Sequence, residues 1–232
     1  VTWSNHSDAL GGASVVTYRL MQALQNAGVD AQMLVSIKSG QNDHVTQISS
    51  RHFRNYAFLM ERINIFTRNG FSRDNLFKIS TATHGLPASK HPLVTNADVI
   101  VLNWINQGTL SLDEIDKIAR LGKPIVWWMH DMWCLTGACH HALECDHYKH
   151  QCGKCRFIGD GSDKNDLSHI TWLKKNKIFT NPNIHYVAVS NWLANKAKES
   201  ELLRNADISV IHHAFPVDFF KTTPSNDIPA QL

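Results

Sequence analysis

At 232 residues, with 43% hydrophobic and 19% charged residues, the chain has the make-up of an ordinary soluble globular protein, large enough for one sizeable α/β domain or two small ones. No apolar run approaches the roughly 20 residues that a membrane-spanning helix needs, and a formal charge of +3 is far weaker than the basic face of a typical nucleic-acid binder. A spanning helix is excluded on that pattern and nucleic acid is disfavoured as a partner, while an acidic substrate or peripheral contact with a membrane surface suits the mild positive balance.

The chain opens on Val1 rather than Met, and VTWSNHS already reads as a strand, so the native protein is expected to start a few residues earlier. No charged-then-apolar leader precedes it, which points to the cytoplasm. Gly11-Gly12 follows the first strand and leads into a helix over 13–28, with apolar positions Val15, Val16, Leu20, Ala23 and Leu24 and a terminating Gly28. Residues 29–37, 97–104, 123–130, 184–190 and 207–215 are short runs rich in β-branched residues and apolar on both faces, as buried parallel strands read. Residues 54–69 look helical and 72–92 look like loop. Ser111 and Glu114 form a capping-box pattern at the start of a helix that ends at Gly122, Asn165-Asp166-Leu167-Ser168 opens another, and 191–203 reads as a third. From Pro216 the pattern dissolves into a polar, proline-containing tail, read as a linker over 215–232. Strand and helix in repeated alternation predict a Rossmann-like parallel sheet with helices on both faces, occupying 1–214, because each parallel neighbour requires a crossover connection.

Three groups of residues could carry chemistry. Gly11 and Gly12 allow a loop to approach a ligand closely, with a helix N-terminus behind them, although the full G-x-G-x-x-G pattern and its later acidic residue are absent. His130-Asp131 lies at the C-terminal end of the apolar strand PIVWWMH, the edge where open parallel sheets bind ligands; Asn103, Trp104 and Asn106 end the preceding strand and could line the same edge. A histidine there can exchange hydrogen bonds with a hydroxyl near neutral pH, or simply complete the core. The third group is Cys139, Cys145, Cys152 and Cys155. Their spacing C-x5-C-x6-C-x2-C fits a tetrahedral thiolate zinc site, leaves open a loop staple of reduced or paired thiols, and contains one C-x2-C pair of redox type. Clustered, odd-numbered cysteines without a leader favour thiols or metal over a disulfide framework.

Several stretches together resemble the N-terminal half of a family 4 glycosyltransferase of the two-domain GT-B architecture: GGASVVTYRLMQALQNAGVDAQML, ADVIVLNWIN, GKPIVWWMHDMWCLTGACHHALECDHYKHQCGKC, VAVSNWLANKAKES and SVIHHAFPVDFFK. The run from His130 to Cys155 looks like a bacterial branch that builds surface polysaccharides. The resemblance implies an acceptor-binding half whose missing C-terminal partner would hold a nucleotide-sugar, with transfer, of the retaining type, to a glycan or lipid-linked acceptor at the inner face of the membrane. Gly11 and Gly12 would border the cleft near the donor phosphates, and His130 would contact the transferred sugar or the acceptor hydroxyl. No catalytic metal is implied, so zinc at the cysteines would be structural. Two departures stand out: His212, His213, Ala214, Phe215 and Pro216 replace the usual centre of the SVIHHAFPVDFF segment, and no two glutamates have the spacing of the family's donor site. The chain alone is therefore expected to be inactive. A thiol-disulfide oxidoreductase using Cys152 and Cys155, or a zinc-stabilised binding module, are the rival readings.

Overall fold

A computed structural model describes residues 1–158 and 166–214. Seven strands form one parallel sheet: β1 (Thr2–Ser7), β2 (Gln32–Ile37), β3 (Val45–Gln47), β4 (Ile100–Leu102), β5 (Ile125–Met129), β6 (Ile184–Ala188) and β7 (Ile208–Val210), in the order β3-β2-β1-β4-β5-β6-β7. The helices are α1 (Gly12–Asn26), α2 (Arg51–Arg68), the single turn α3 (Pro92–Thr95), α4 (Leu112–Ala119), α5 (Leu167–Phe179) and α6 (Asn191–Glu199). This is the Rossmann-like arrangement that the strand-helix alternation predicts. The predicted linker from Phe215 onward lies outside the described residues.

Alternation along the strands fills two cores. Trp3, Met33, Val35, Val101, Trp128 and Val187 pack on one face, where Met21 of α1 joins them. Leu34, Ile100, Leu102, Ile125, Trp127 and Tyr186 pack on the other, against apolar residues of α2, α4, α5 and α6. Apolar side chains on both faces of a strand are what a doubly covered sheet requires, and Trp127 stacks on Tyr186 with Phe179 edge-on to it at 4.8 Å.

Local signals explain most boundaries. Ser111 Oγ accepts from the Glu114 N–H (3.1 Å), as its capping pattern predicts. The Glu114 carboxylate does not return to the cap; it accepts from Ser89 N–H and Lys117 Nζ instead, tying the loop before α3 to α4. Asp166 caps α5 by accepting from the Ser168 and His169 N–H groups. The predicted strand over 97–104 is laddered on both sides only at Ile100–Leu102, with Val99, Asn103 and Trp104 still sharing single backbone hydrogen bonds with β1, and within the described part of 207–215 the strand is Ile208–Val210. The helix expected over 191–203 stops at Glu199, where Ser200 turns extended and donates its hydroxyl to the Leu135 carbonyl.

Chain order sets the location of a site. From β1 the chain moves outward through α1 to β2 and β3, then crosses back past β1 to enter β4 on its other side. The loops after β1 and β4 therefore diverge at the C-terminal edge of the sheet, which is where open α/β sheets leave a crevice.

Candidate functional site

A cavity of about 630 Å³ occupies that crevice, within the range of small-molecule sites. Leu10, Gly11 and Gly12 and the first turns of α1 as far as Arg19 form one wall; Trp104, after β4, and His130 and Asp131, after β5, form the other; His213, beyond β7, closes one side. The backbone at Gly11 has φ +86°, a conformation L side chains rarely adopt, and no atom lies within 4 Å of where a Cβ would stand on Gly11 or Gly12. No side chain caps α1, so its first N–H groups and the positive end of its dipole face open space, with the Arg19 guanidinium farther along the same wall.

The opposite wall is built on two polar hubs. Asp131 accepts from the Trp133 N–H at Oδ1 (2.8 Å), and at Oδ2 it accepts from Trp104 Nε1 (2.9 Å) and meets His140 Nδ1 at 2.7 Å. Burial alone would raise this carboxyl, but the contacts with His140, Trp133 and Trp104 outweigh it and hold it below its usual range. Both oxygens are thus engaged within the protein, and Asp131 acts chiefly to lock the Trp104 indole, which also meets His6 edge-on at 5.6 Å and His140 at 5.7 Å.

The second hub holds His130. Its Nε2 lies 3.2 Å from Asn103 Oδ1, which also receives Thr17 Oγ1 of α1 at 3.1 Å. With Nε2 donating to that amide oxygen, Nδ1 carries the lone pair, and among the described residues it has no partner. Burial, reinforced by the nearby His213 and only partly opposed by Asp131, lowers the His130 pKa to about 4, so the imidazole is neutral at physiological pH. The His130 and His213 rings are 5.2 Å apart.

The structure therefore brings Gly11, Gly12, Trp104, His130 and Asp131 to one cavity. Asn103 stands behind His130 as its orienting partner, and Asn106 is buried away from the cavity. Sequence reasoning did not select Arg19 or His213. Arg19 follows from helix phase, four residues after Val15 on the wall-forming face, whereas His213 stood out in the sequence only as a departure from a familiar segment.

The four cysteines Cys139, Cys145, Cys152 and Cys155 line a separate cavity of about 20 Å³ between the loop after β5 and the start of α5. The Gly137 N–H donates to Cys152 Sγ (3.1 Å) and the Phe157 N–H to the Cys155 sulfur. Burial is the main cause of raised pKa values, about 11 at Cys139 and Cys152 and about 12 at Cys155. The direction of these shifts runs against the lowered thiol pKa that an oxidoreductase uses. Among the described residues no three His, Cys, Asp or Glu side chains already stand in metal-holding geometry.

No protein-family model matches the chain. Among curated proteins, 174 residues, 74% of the chain, align at 24% identity with "Putative colanic acid biosynthesis glycosyl transferase WcaC" of Escherichia coli strain K12. The chain resembles a glycosyl transferase. It spans less than half of that relative, since the alignment covers 43% of the longer protein. An all-parallel Rossmann-like sheet fits that resemblance, and among the described residues no helix is long and apolar enough to cross a membrane.

Proposed function

We propose that this chain is the acceptor-binding half of a two-domain, GT-B glycosyltransferase of family 4, transferring a sugar with retention from a nucleotide-sugar to a glycan or lipid-linked acceptor during surface polysaccharide synthesis. A second Rossmann-like half, outside this chain, would hold the nucleotide, and this half alone would be inactive. The observation that carries the reading is the convergence, at the sheet's reversal point, of an uncapped helix N-terminus and Arg19 on one wall with a neutral, pre-oriented histidine on the other. The first wall suits a diphosphate: fixed N–H dipoles and a guanidinium oppose the charge that develops as the nucleotide departs, with no reorganisation needed at that moment. The second wall suits a hydroxyl: Asn103 fixes the His130 ring at the cavity, and its Nδ1, covered in this structure, would accept a hydroxyl's hydrogen bond once a small movement of the ring or its neighbour His213 uncovers it. His130→Ala in the full-length enzyme should lower transfer by about a hundred-fold with an unchanged melting temperature. Unaltered turnover would remove His130 from the reaction.

For the cysteines we propose a structural role, with zinc as the ligand best matched to four sulfurs at this spacing. The support is their convergence on one small cavity and the two N–H groups directed at sulfur, which would stabilise thiolates once formed. The sulfurs would have to draw inward to close the shell. Zinc content and thermal stability of the full-length protein and its Cys152→Ser variant test the idea: about one zinc per chain, lost together with stability in the variant, is expected. Metal-free protein with an unaffected variant would refute it.

A further inference from the structure

Helix α2 is inverted relative to an ordinary surface helix. Its inner side buries an ion pair, Glu61 with Arg62 at 3.0 Å, alongside Ala57 and Ile65. Its outer side carries Phe53, Tyr56, Leu59 and Ile63 at 66%, 59%, 55% and 42% exposure, spaced three or four residues apart so that they share one face. The apolar surface continues past the helix: exposed Phe71 lies edge-on to Phe66 at 5.6 Å, and exposed Phe77 stacks on Phe58 at 6.4 Å. Scattered exposed apolar residues need no explanation, but a contiguous stripe does. Charge is biased in the same place. Apart from the buried Glu61–Arg62 pair, residues 51–78 hold five arginines and lysines against one acid, Asp74. Arg51 and Arg68 stand exposed at the two ends of α2, with Arg73 exposed shortly beyond.

We infer that the outer face of α2 and the segment through Phe77 dock the protein on the surface of an anionic phospholipid bilayer. A helix of 18 residues, about 27 Å long, lies in the plane of the interface, its aromatic and aliphatic side chains entering the boundary between headgroups and acyl chains while the arginines meet lipid phosphates. The middle of the stripe, Leu59 and Ile63, is aliphatic. That suits acyl chains and interrupts the aromatics, so the exposed rings do not form the continuous stacking platform along which a nucleic-acid strand runs. A second copy of the chain is a poorer occupant, because two-fold pairing of this face would set one rim of arginines against another.

Position gives the surface a use. A Cβ on Gly108 would lie 2.7 Å from Phe58 N, so the middle of α2 rests directly on the loop after β4, the loop that begins with Asn103 and Trp104. Docking through α2 would hold the cavity mouth near the membrane, within reach of a lipid-linked acceptor. This last step rests on the proposed transferase reading; the docking does not.

Vesicle co-sedimentation tests the docking without donor or acceptor. The full-length protein is expected to sediment with phosphatidylcholine vesicles containing about one third phosphatidylglycerol, and less so at high salt. The triple variant Phe53→Ser/Leu59→Ser/Ile63→Ser should lose partitioning on the order of ten-fold or more while keeping its melting temperature, and Arg51→Glu/Arg68→Glu/Arg73→Glu should lose the preference for anionic vesicles. The inference is overturned if the wild-type protein stays in the supernatant, if the serine variant partitions equally well, or if the same substitutions instead abolish a dimer or RNA binding. Retained transfer to a soluble acceptor alongside failed vesicle binding would sink the docking and leave the transferase reading standing.

Discussion

Replacing Glu61 tests the force that turns α2 around. Glu61 is fully buried, and its Oε1 accepts from both the Thr81 and Ala82 N–H groups (3.0 and 2.9 Å), while Oε2 faces Arg62 Nη2 at 3.0 Å. Arg62 in turn donates to the carbonyls of Leu76 and Ile79, so the pair joins α2 to the segment that leads toward β4. Glu61→Ala removes the only carboxylate facing a buried guanidinium among the described residues and strands two backbone donors. Breaking a buried pair from one side costs about 3–5 kcal/mol, and each kcal/mol shifts a domain of this size by about 2–4 °C, so a fall of roughly 6–20 °C is expected. The double variant Glu61→Met/Arg62→Met removes both charges and leaves the two stranded N–H groups as the main loss, at about 1–3 kcal/mol each, without the unpaired buried guanidinium that Glu61→Ala leaves behind. Thermal and urea denaturation followed by tryptophan emission, on the wild type, Glu61→Met, Arg62→Met and the double variant, would complete the cycle. A Glu61→Ala loss below about 1 kcal/mol, or a double variant as unstable as the sum of its parts, would show that α2 is held by something other than this pair.

Two further outcomes follow from the site. Burial lowers both His6 and His130 to about 4, with Arg54 adding to the effect at His6, against about 6.5 in an unfolded chain; the native state thus refuses protons that the unfolded state takes up. Stability should be full above pH 6.5 and decline as pH falls toward 4, by up to about 3 kcal/mol for each of these largely buried rings; a flat melting temperature across pH 7 to 4.5 would contradict the burial of both. Asp131→Asn puts an amide N–H₂ where at least one of the Trp104, Trp133 and His140 donors now finds a carboxylate oxygen, so a loss of about 1–3 kcal/mol of stability should be accompanied by a shift in tryptophan emission; an unchanged spectrum and melting curve would mean that the indole is fixed by packing alone.

The sheet was legible because doubly covered strands have an unusual composition: IVWWM and MLVSI have few competing interpretations. Strand β3 was not, since VTQ sits in a polar stretch and an edge strand needs only Val45 buried. Helix α2 was legible as a helix, but its phase was not. Apolar periodicity selects Phe53, Tyr56, Leu59 and Ile63 as the inner stripe, and the Glu61–Arg62 pair, whose partners are backbone groups some 14 to 21 residues away in sequence, reverses that choice. Gly11, Gly12, Trp104, His130 and Asp131 could be located because strand ends map onto one sheet edge. The hydrogen bonds that make Asn103 and Asp131 supports, with His130 presented to the cavity, depend on side-chain geometry that spacing does not encode.

Polar residues on buried faces nevertheless left a trace of the site. The buried stripe of α1 is Ser14, Val16, Thr17 and Met21; of the apolar positions read from the sequence, Val16 lies in it and Leu20 and Leu24 pack half-buried against the same core, while the hydroxyls of Ser14 and Thr17 meet Asn5 of β1 and Asn103 just after β4. Stability alone would favour apolar side chains there. Asn103 Nδ2, Asn106 Oδ1, His130 Nδ1 and His213 Nε2 are among the buried side-chain atoms that have no partner within the described residues, and a buried polar group left unpaired costs about 1–3 kcal/mol. Two of these four atoms belong to rings that line the cavity and a third to the amide that orients one of them. A ligand supplying hydroxyls at that wall would recover part of the cost on binding, which is a physical reason for such a sequence to keep polar groups where its fold does not need them.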